Sequence, residues 1–227
     1  VAVRRIFAVK GRPSTHPLIV HVASHEAALG WVRQFPKAAE VLATRFWPGP
    51  LTLIVLKNER ASDVVTGGQE TVGLRVPSHS VAIDLLRQFG GGIAAPSANR
   101  FGHVSPTTAD HVRSDLGAAV DFVLDGGPSA IGVESTIVDV AHGAPRILRP
   151  GGLRLEAIED ALGQLVSILS DSTEVRAPGM LASHYAPRAG LLIAEPNTLE
   201  VNVTEAKKTG AKVVVLAPRS LNFGAQI

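Results

Sequence analysis

The sequence predicts an α/β fold: a mixed sheet with helices packed on it. Apolar runs with strand character alternate with helical ones, but not in strict β-α order. The stretch from 119 to 149 is rich in strand signals, which disfavours a doubly wound parallel sheet. The 227 residues are 45% hydrophobic and 19% charged, with a net charge of +2, which suits a packed core and excludes a disordered chain.

The elements follow from local patterns. Val1–Val9 carries Val3, Ile6 and Phe7 at helical spacing with Arg4 and Arg5 outside, and Gly11 and Pro13 stop it. Leu18–Val22 is a short β-rich run. Residues 25–35 and 37–46 read as two helices broken at Pro36. Leu51–Leu56 is an apolar strand entered through Pro48-Gly49-Pro50. Thr71–Val76 is a strand ended by Pro77. Ser80–Phe89 is an amphipathic helix closed by three glycines, followed by a short buried strand at Ile93–Ala95. Thr107–Leu116 is a helix after Ser105-Pro106. Strands near 121–124, 135–140 and 145–149 and a helix near 155–169 complete the first part.

Residues 170–190 lose periodicity and read as a linker, although Met180, Leu181, His184 and Tyr185 are unusual in a passive spacer. Leu191–Ala194, a polar helix near 197–209 and Lys212–Ala217 then form a β-α-β pattern. The expected organisation is a catalytic domain at 1–169, a linker or lid at 170–190 and a partial, Rossmann-like C-terminal domain at 191–227. Both ends read as cut, because the chain opens in mid-helix without Met and stops after a strand.

Composition narrows the chemistry. There is no cysteine, which removes disulfides, thiolate nucleophiles and Cys-based metal sites. It fits a reducing compartment, and the cytoplasm is the expected location. No apolar run reaches the roughly 18–20 residues of a membrane span. Residues 1–60 hold nine Lys and Arg against three Asp and Glu, a balance of +6 that suits either an anionic ligand or a solvated basic face. No Gly-Lys-Ser/Thr triplet and no Gly-x-Ser-x-Gly elbow occur, and His25-Glu26 lacks a second His four residues on. The glycines at 90–92 precede a strand, so they read as a helix stop and not as a dinucleotide loop.

Short polar motifs at element edges remain. Lys10-Gly11-Arg12-Pro13 puts two cations around a glycine, where both can face one anion or line a solvated turn. Ser97 and Asn99 stand at i and i+2 on one side of an extended segment, as ligand contacts or as an Asx or Ser turn. Glu134-Ser135-Thr136 opens a strand, and Arg149-Pro150-Gly151-Gly152 closes the next, with Arg149 either a phosphate clamp or a surface charge. Thr71 and Arg75 share one face of a strand. Such a set, with few carboxylates, would stabilise phosphoryl or adenylyl transfer by charge and position.

In order, the motifs are Lys-x-Arg-Pro, Pro-Leu-Ile-Val-His, Phe-Trp-Pro-Gly-Pro-Leu-Thr, Val-Gly-Leu-Arg-Val-Pro, Ala-Pro-Ser-Ala-Asn, Ser-Pro-Thr, Glu-Ser-Thr-Ile-Val-Asp and Leu-Arg-Pro-Gly. Together they resemble the YrdC-type threonylcarbamoyl-AMP synthases over residues 1 to about 165. Ala177-Pro178-Gly179-Met180 with Ser183-His184-Tyr185-Ala186-Pro187 is similar to the linker of the two-domain members. The resemblance implies a twisted YrdC-like mixed sheet around a basic cavity. It implies synthesis of threonylcarbamoyl-AMP and pyrophosphate from L-threonine, bicarbonate and ATP. The product would feed the tRNA threonylcarbamoyl-transfer machinery.

By the same resemblance Lys10, Arg12, Ser97 and Asn99 form the catalytic tetrad, with Lys10 and Arg12 on the nucleotide phosphates. His21, Arg75, Ser97 and Ser135 would hold threonine, Arg75 pairing its carboxylate. Arg12, His16, Thr71, Asn99, Thr107 and Arg149 would contact ATP, and His184 and Tyr185 would fold over the cavity as a lid. On its apolar strand, His21 also reads as a core histidine. No metal ligand is assigned, and Mg2+ is expected to arrive with ATP. The family's Pro-Thr-Glu-Thr-x-Tyr-Gly-Leu-Gly segment is expected to precede Val1, and the C-terminal domain ends early. An RNA-binding module without synthase activity is the alternative, disfavoured by the lack of aromatic clusters and long basic runs. A carbamoyl-transfer domain of hydrogenase maturation enzymes is disfavoured because those carry Cys-based zinc modules.

Overall fold

The computed structural model describes residues 1–169, 177–178, 187 and 189–217. The chain divides into two compact units, Val1–Ala186 and Pro187–Ile227. His184 and Tyr185 lie outside the described residues.

In the first unit, helix α1 (Ala2–Lys10) ends where Gly11 turns left-handed at φ 64°. The Arg12 amide then donates to Phe7 O at 3.0 Å, folding the chain back over the helix end. Strand β1 (Ile19–His21), α2 (His25–Leu29), α3 (Lys37–Phe46), β2 (Leu51–Leu56), a helical turn α4 (Asp63–Thr66) and β3 (Thr71–Arg75) follow. Next come α5 (Ser80–Phe89), β4 (Ile93–Ala94), α6 (Ala109–Leu116), β5 (Thr136–Asp139), β6 (Arg146–Arg149), α7 (Leu155–Leu162) and β7 (Ser167–Ile168).

The strands make one seven-stranded sheet in the order β4-β1-β3-β2-β5-β6-β7. β1 runs parallel to β3, β2 to β5 and β6 to β7, and the remaining neighbours are antiparallel, so the sheet is mixed as expected. Alternation gives the sheet two unlike faces. Leu51, Leu53, Val55, Val72, Leu74 and Val138 face the large core that α1, α3 and α7 cover. Ile19, Ile54, Ile137 and Leu148 form a smaller apolar floor on the other face.

Several expectations are corrected. The run at 121–124 is no strand; Phe122 is 93% exposed, and without a partner its apolar alternation buries nothing. The helix expected over 25–35 ends at Leu29, because Gly30 closes it and Val32 then bridges to Lys57. The helix starting at Thr107 begins at Ala109, with Thr108 accepting from the His111 amide as its cap. The helix expected to reach 169 stops at Gly163, at φ 65°, and β7 then joins the sheet edge. Ile158 sits in the main core, so 155–168 pack as part of the first unit. The short strand near 93 is half-buried at the sheet edge, and not buried.

In the second unit the described residues hold one helix, α8 (Leu199–Lys208). The expected strands at 191–194 and 212–217 are not formed. Leu192 and Leu216 stand exposed with no strand partner among the described residues.

Leu53 is fully buried on the central strand, while Leu85 on α5 is half exposed. Leu53→Ala is expected to lower the unfolding free energy by about 3 kcal/mol. Leu85→Ala should stay within about 0.5 kcal/mol, both read from urea midpoints.

Candidate active site

The second face of the sheet carries the polar residues. His21 follows Ile19 by two positions, Thr71 and Arg75 flank Gly73, Thr52 precedes Ile54, and Ser135 precedes Ile137, so all share that face. Gly73 has no side chain there, and Ile19 and Ile54 close over it. A Cβ at Gly73 would stand 3.2 Å from Ile54 Cδ1. The floor therefore stays shallow, and polar groups ring it.

One cationic pole lies where α1 meets the segment after β4. Lys10 is buried, and its ammonium donates to Ser97 O at 2.6 Å and to Asn99 O. Phe101 N–H returns a bond to Lys10 O at 2.8 Å. Burial, and next the Arg12 charge, push the Lys10 ammonium down to about 8; Asp115 and Glu134 partly offset this. Arg12 is also buried, donates to Pro17 O at 2.9 Å, and lies 5.6 Å from the Phe101 ring centre. His16 packs on the same ring at 5.5 Å, and burial lowers its pKa. Asn99 is 2% exposed; its amide donates to Arg100 O at 3.0 Å and His103 O at 2.7 Å. The tetrad Lys10, Arg12, Ser97 and Asn99 is thus assembled, with Lys10 acting as a strut on the loop.

A second pole lies at the other end of β3. Arg75 donates to Gly49 O at 3.0 Å, and burial lowers its pKa. His21 pairs in register with Arg75. Burial, then the Arg75 charge, push its imidazole down to about 3, so it is neutral at physiological pH. Its Nδ1 is buried with no partner among the described residues. Arg149 is buried and grips Ser135, donating to Ser135 O at 2.8 Å and Ser135 Oγ at 3.1 Å, and to Pro178 O at 2.9 Å. Its fork holds protein acceptors and it is buried, so it is not an exposed surface charge. Ser135 Oγ also meets Thr52 Oγ1 at 2.8 Å.

Glu134 stands between the poles. Ser105 donates to its Oε1 at 2.5 Å, and Arg149 lies 4.0 Å from its Oε2. Ser97, Ser105, Thr107 and Glu134 line a cavity of about 300 Å³, walled by α6 and the loop from 123 to 134. Thr107 O takes the Ser129 amide at 2.8 Å, which pins that loop. Thr71, by contrast, sits at the far end of β3 from Arg75, about 13 Å along the strand. It lies at the opposite end of the strand from the Arg75 pole.

Sequence reasoning did not single out Ser105, Thr52, His103 or Asp115. Ser105 opens a Ser-Pro-Thr motif that could have signalled it. Asp115 reads as an ordinary polar position on a helix face, and only the fold brings it to the loop after Asn99. Other basic residues of the first 60 have partners away from the poles: Arg5 pairs with Asp121 at 2.8 Å, Arg33 with Glu70 at 2.8 Å, Arg60 stacks 4.9 Å from the Trp31 ring, and the buried Lys57 pairs with Asp63 at 2.6 Å.

Residues 1–151 match the Sua5/YciO/YrdC family model, described as "Telomere recombination". Residues 153–225 match a model described as "Threonylcarbamoyl-AMP synthase, C-terminal domain". A threonylcarbamoyl-AMP synthase of Pyrococcus abyssi is 43% identical over 229 residues, covering 96% of this chain and 67% of that protein. One from Bacillus subtilis is 45% identical over 221 residues, covering 95% of this chain and 64% of its own length. The crystal structure of P. abyssi Sua5 complexed with L-threonine superposes with a TM-score of 0.88 at 43% identity, over 92% of this chain and 64% of that one. The chain thus spans about two thirds of the length of these relatives. Matched across residues 1–151 by one model and carrying the same fold around two cationic poles, the chain belongs to the Sua5/YciO/YrdC family.

Proposed function

We propose that this chain is the catalytic part of a threonylcarbamoyl-AMP synthase, with residues 1–169 as the catalytic domain, 170–190 as a linker and 191–227 as the start of a second domain. The observation that carries this reading is the pair of cationic poles, Lys10 and Arg12 where α1 meets the segment after β4 and Arg75 and Arg149 on the sheet, separated by hydroxyls, an amide and one carboxylate. A reaction joining an amino acid to ATP needs that division. One pole takes phosphates, the other a carboxylate. The family membership and the relatives' names support the same activity.

In this reading Arg75 pairs the threonine carboxylate, with neutral His21, Ser97 and Ser135 around the amino acid. Arg149 holds Ser135 in place and adds charge toward the ATP. Lys10 and Arg12 neutralise the phosphates, and Asn99, His16, Thr71 and Thr107 contact the nucleotide. His184 and Tyr185 serve as the lid. Threonine's amine adds to CO2 derived from bicarbonate and loses a proton, giving a carbamate. A carbamate oxygen then attacks the α-phosphorus, and the bond to pyrophosphate breaks. Catalysis is by position and charge, with no covalent enzyme intermediate. Mg2+ enters as the ATP complex. The product passes to the tRNA threonylcarbamoyl-transfer machinery in the cytoplasm. No helix among the described residues is long and apolar enough to cross a membrane.

The primary test is pyrophosphate release with ATP, bicarbonate and threonine. Threonine-dependent release is expected, and release that ignores threonine, or none, overturns the proposal. Salt-sensitive RNA binding that survives Asn99→Ala, without release, would favour the RNA-binding reading instead. Arg75→Ala should raise the threonine KM about 10–100-fold, the range for losing a charged hydrogen bond.

Lys10 gives two opposed pH trends. Its ammonium is neutralised as pH rises through about 8, so kcat/KM for ATP should fall there, and Lys10→Arg should abolish that limb. The unfolded lysine keeps its proton up to the usual 10.5, so between about 8 and 10.5 the unfolded state binds more protons. Stability from this group therefore rises with pH across that window, and the cost of burying the charge is full below 8. Urea midpoints of the protein and of Lys10→Met should show that difference in slope.

A further inference from the structure

Asn99 is fixed in one orientation. Both partners of its amide nitrogen are carbonyls, Arg100 O and His103 O, so the amide cannot be flipped. Its Oδ1 is buried and, among the described residues, has no hydrogen-bond partner. A buried carbonyl oxygen left in this way costs stability unless something else supplies a donor. It is an acceptor held ready for a ligand.

The two carbonyls that hold Asn99 belong to a tight loop, closed by the His103 amide donating to Arg100 O at 3.2 Å. That loop is tied to the last turn of α6 by one side chain. Asp115 accepts the Arg100 amide on Oδ2 at 2.6 Å and meets His103 Nδ1 from Oδ1 at 2.9 Å. Its own backbone carbonyl takes Arg100 Nε at 3.1 Å. The Arg100 amide, with lesser help from His103, holds the Asp115 carboxyl below its ordinary range, so it stays ionised. One carboxylate thereby fixes both residues whose carbonyls grip Asn99.

We propose that Asp115, together with His103, is a positioning residue for Asn99: it sets the loop that aims Asn99 Oδ1 as an acceptor toward a donor group of the bound nucleotide. This rests on the reading of Asn99 as an ATP contact. Asp115 itself touches no reacting atom.

The test uses the full chain with Asp115→Leu, Asp115→Asn, His103→Leu, Asn99→Ala and the double variant Asn99→Ala/Asp115→Leu. ATP affinity is measured by calorimetry, and the Asn99 side-chain NH2 pair by NMR, assigned by its absence in Asn99→Ala. Asp115→Leu is expected to weaken ATP about tenfold and to erase the protected NH2 pair. Asp115→Asn keeps an acceptor for the Arg100 amide and a polar partner for the His103 ring, so both readouts should return to within about twofold. The double variant should bind no more weakly than Asn99→Ala alone, because the residue acts through Asn99. Full additivity in the double variant, an intact NH2 pair in Asp115→Leu, or an erased pair with unchanged affinity each overturns the inference. If Asp115→Leu does not fold, His103→Leu decides by the same two readouts, since that side chain is one third exposed. An unaltered chain that binds no ATP overturns the functional reading, while the NH2 pair still decides the positioning of Asn99.

Discussion

The buried ammonium of Lys10 joins parts of the chain nearly ninety residues apart. It closes the C-terminal end of α1, where the helix dipole favours a cation, and it gathers the carbonyls of Ser97 and Asn99. Without it, the segment after β4 would leave the sheet edge with two buried carbonyls unsatisfied. The turn at Gly11 places Arg12 beside this joint. The tetrad is therefore a structural knot as well as a proposed ligand site, and burying the Lys10 charge depresses its pKa.

Around that joint, charge is distributed with few counter-ions. Arg12, Arg75 and Arg149 satisfy part of their forks with backbone carbonyls, at Pro17, Gly49, Ser135 and Pro178. Carbonyl partners hold a guanidinium in place without neutralising its charge. Glu134 is the exception, tethered by Ser105 between the poles. The arrangement keeps a net positive field on the face where two anionic groups would have to meet.

Much of this was legible beforehand. Helix α5 ends at the predicted residues because an amphipathic period runs straight into Gly90, and β2 is an apolar run, broken only by Thr52, that follows a Pro-Gly-Pro turn signal. The Lys-x-Arg and Ser-x-Asn motifs marked the first pole, and Arg75 and Ser135 the second. The expected strands that did not form share one cause. Residues 121–124, 191–194 and 212–217 have strand composition, but a strand exists only when a neighbour offers a free edge, and none among the described residues pairs with them. Conversely β7 has two residues and no periodic signal, yet it forms because β6 presents an open edge.

Residue type and alternation alone decided which positions are apolar, which face of each strand they take, and that the site would be rich in cations and free of thiols. Tertiary structure decided which cations are buried and which pair on the surface, that His21 is neutral, and that Arg149 grips Ser135. It also decided that Asp115 stands behind Asn99. Those outcomes depend on burial and on distances between residues far apart in the chain. Desolvation and hydrogen-bond geometry are properties of the packed fold, and no local pattern encodes them.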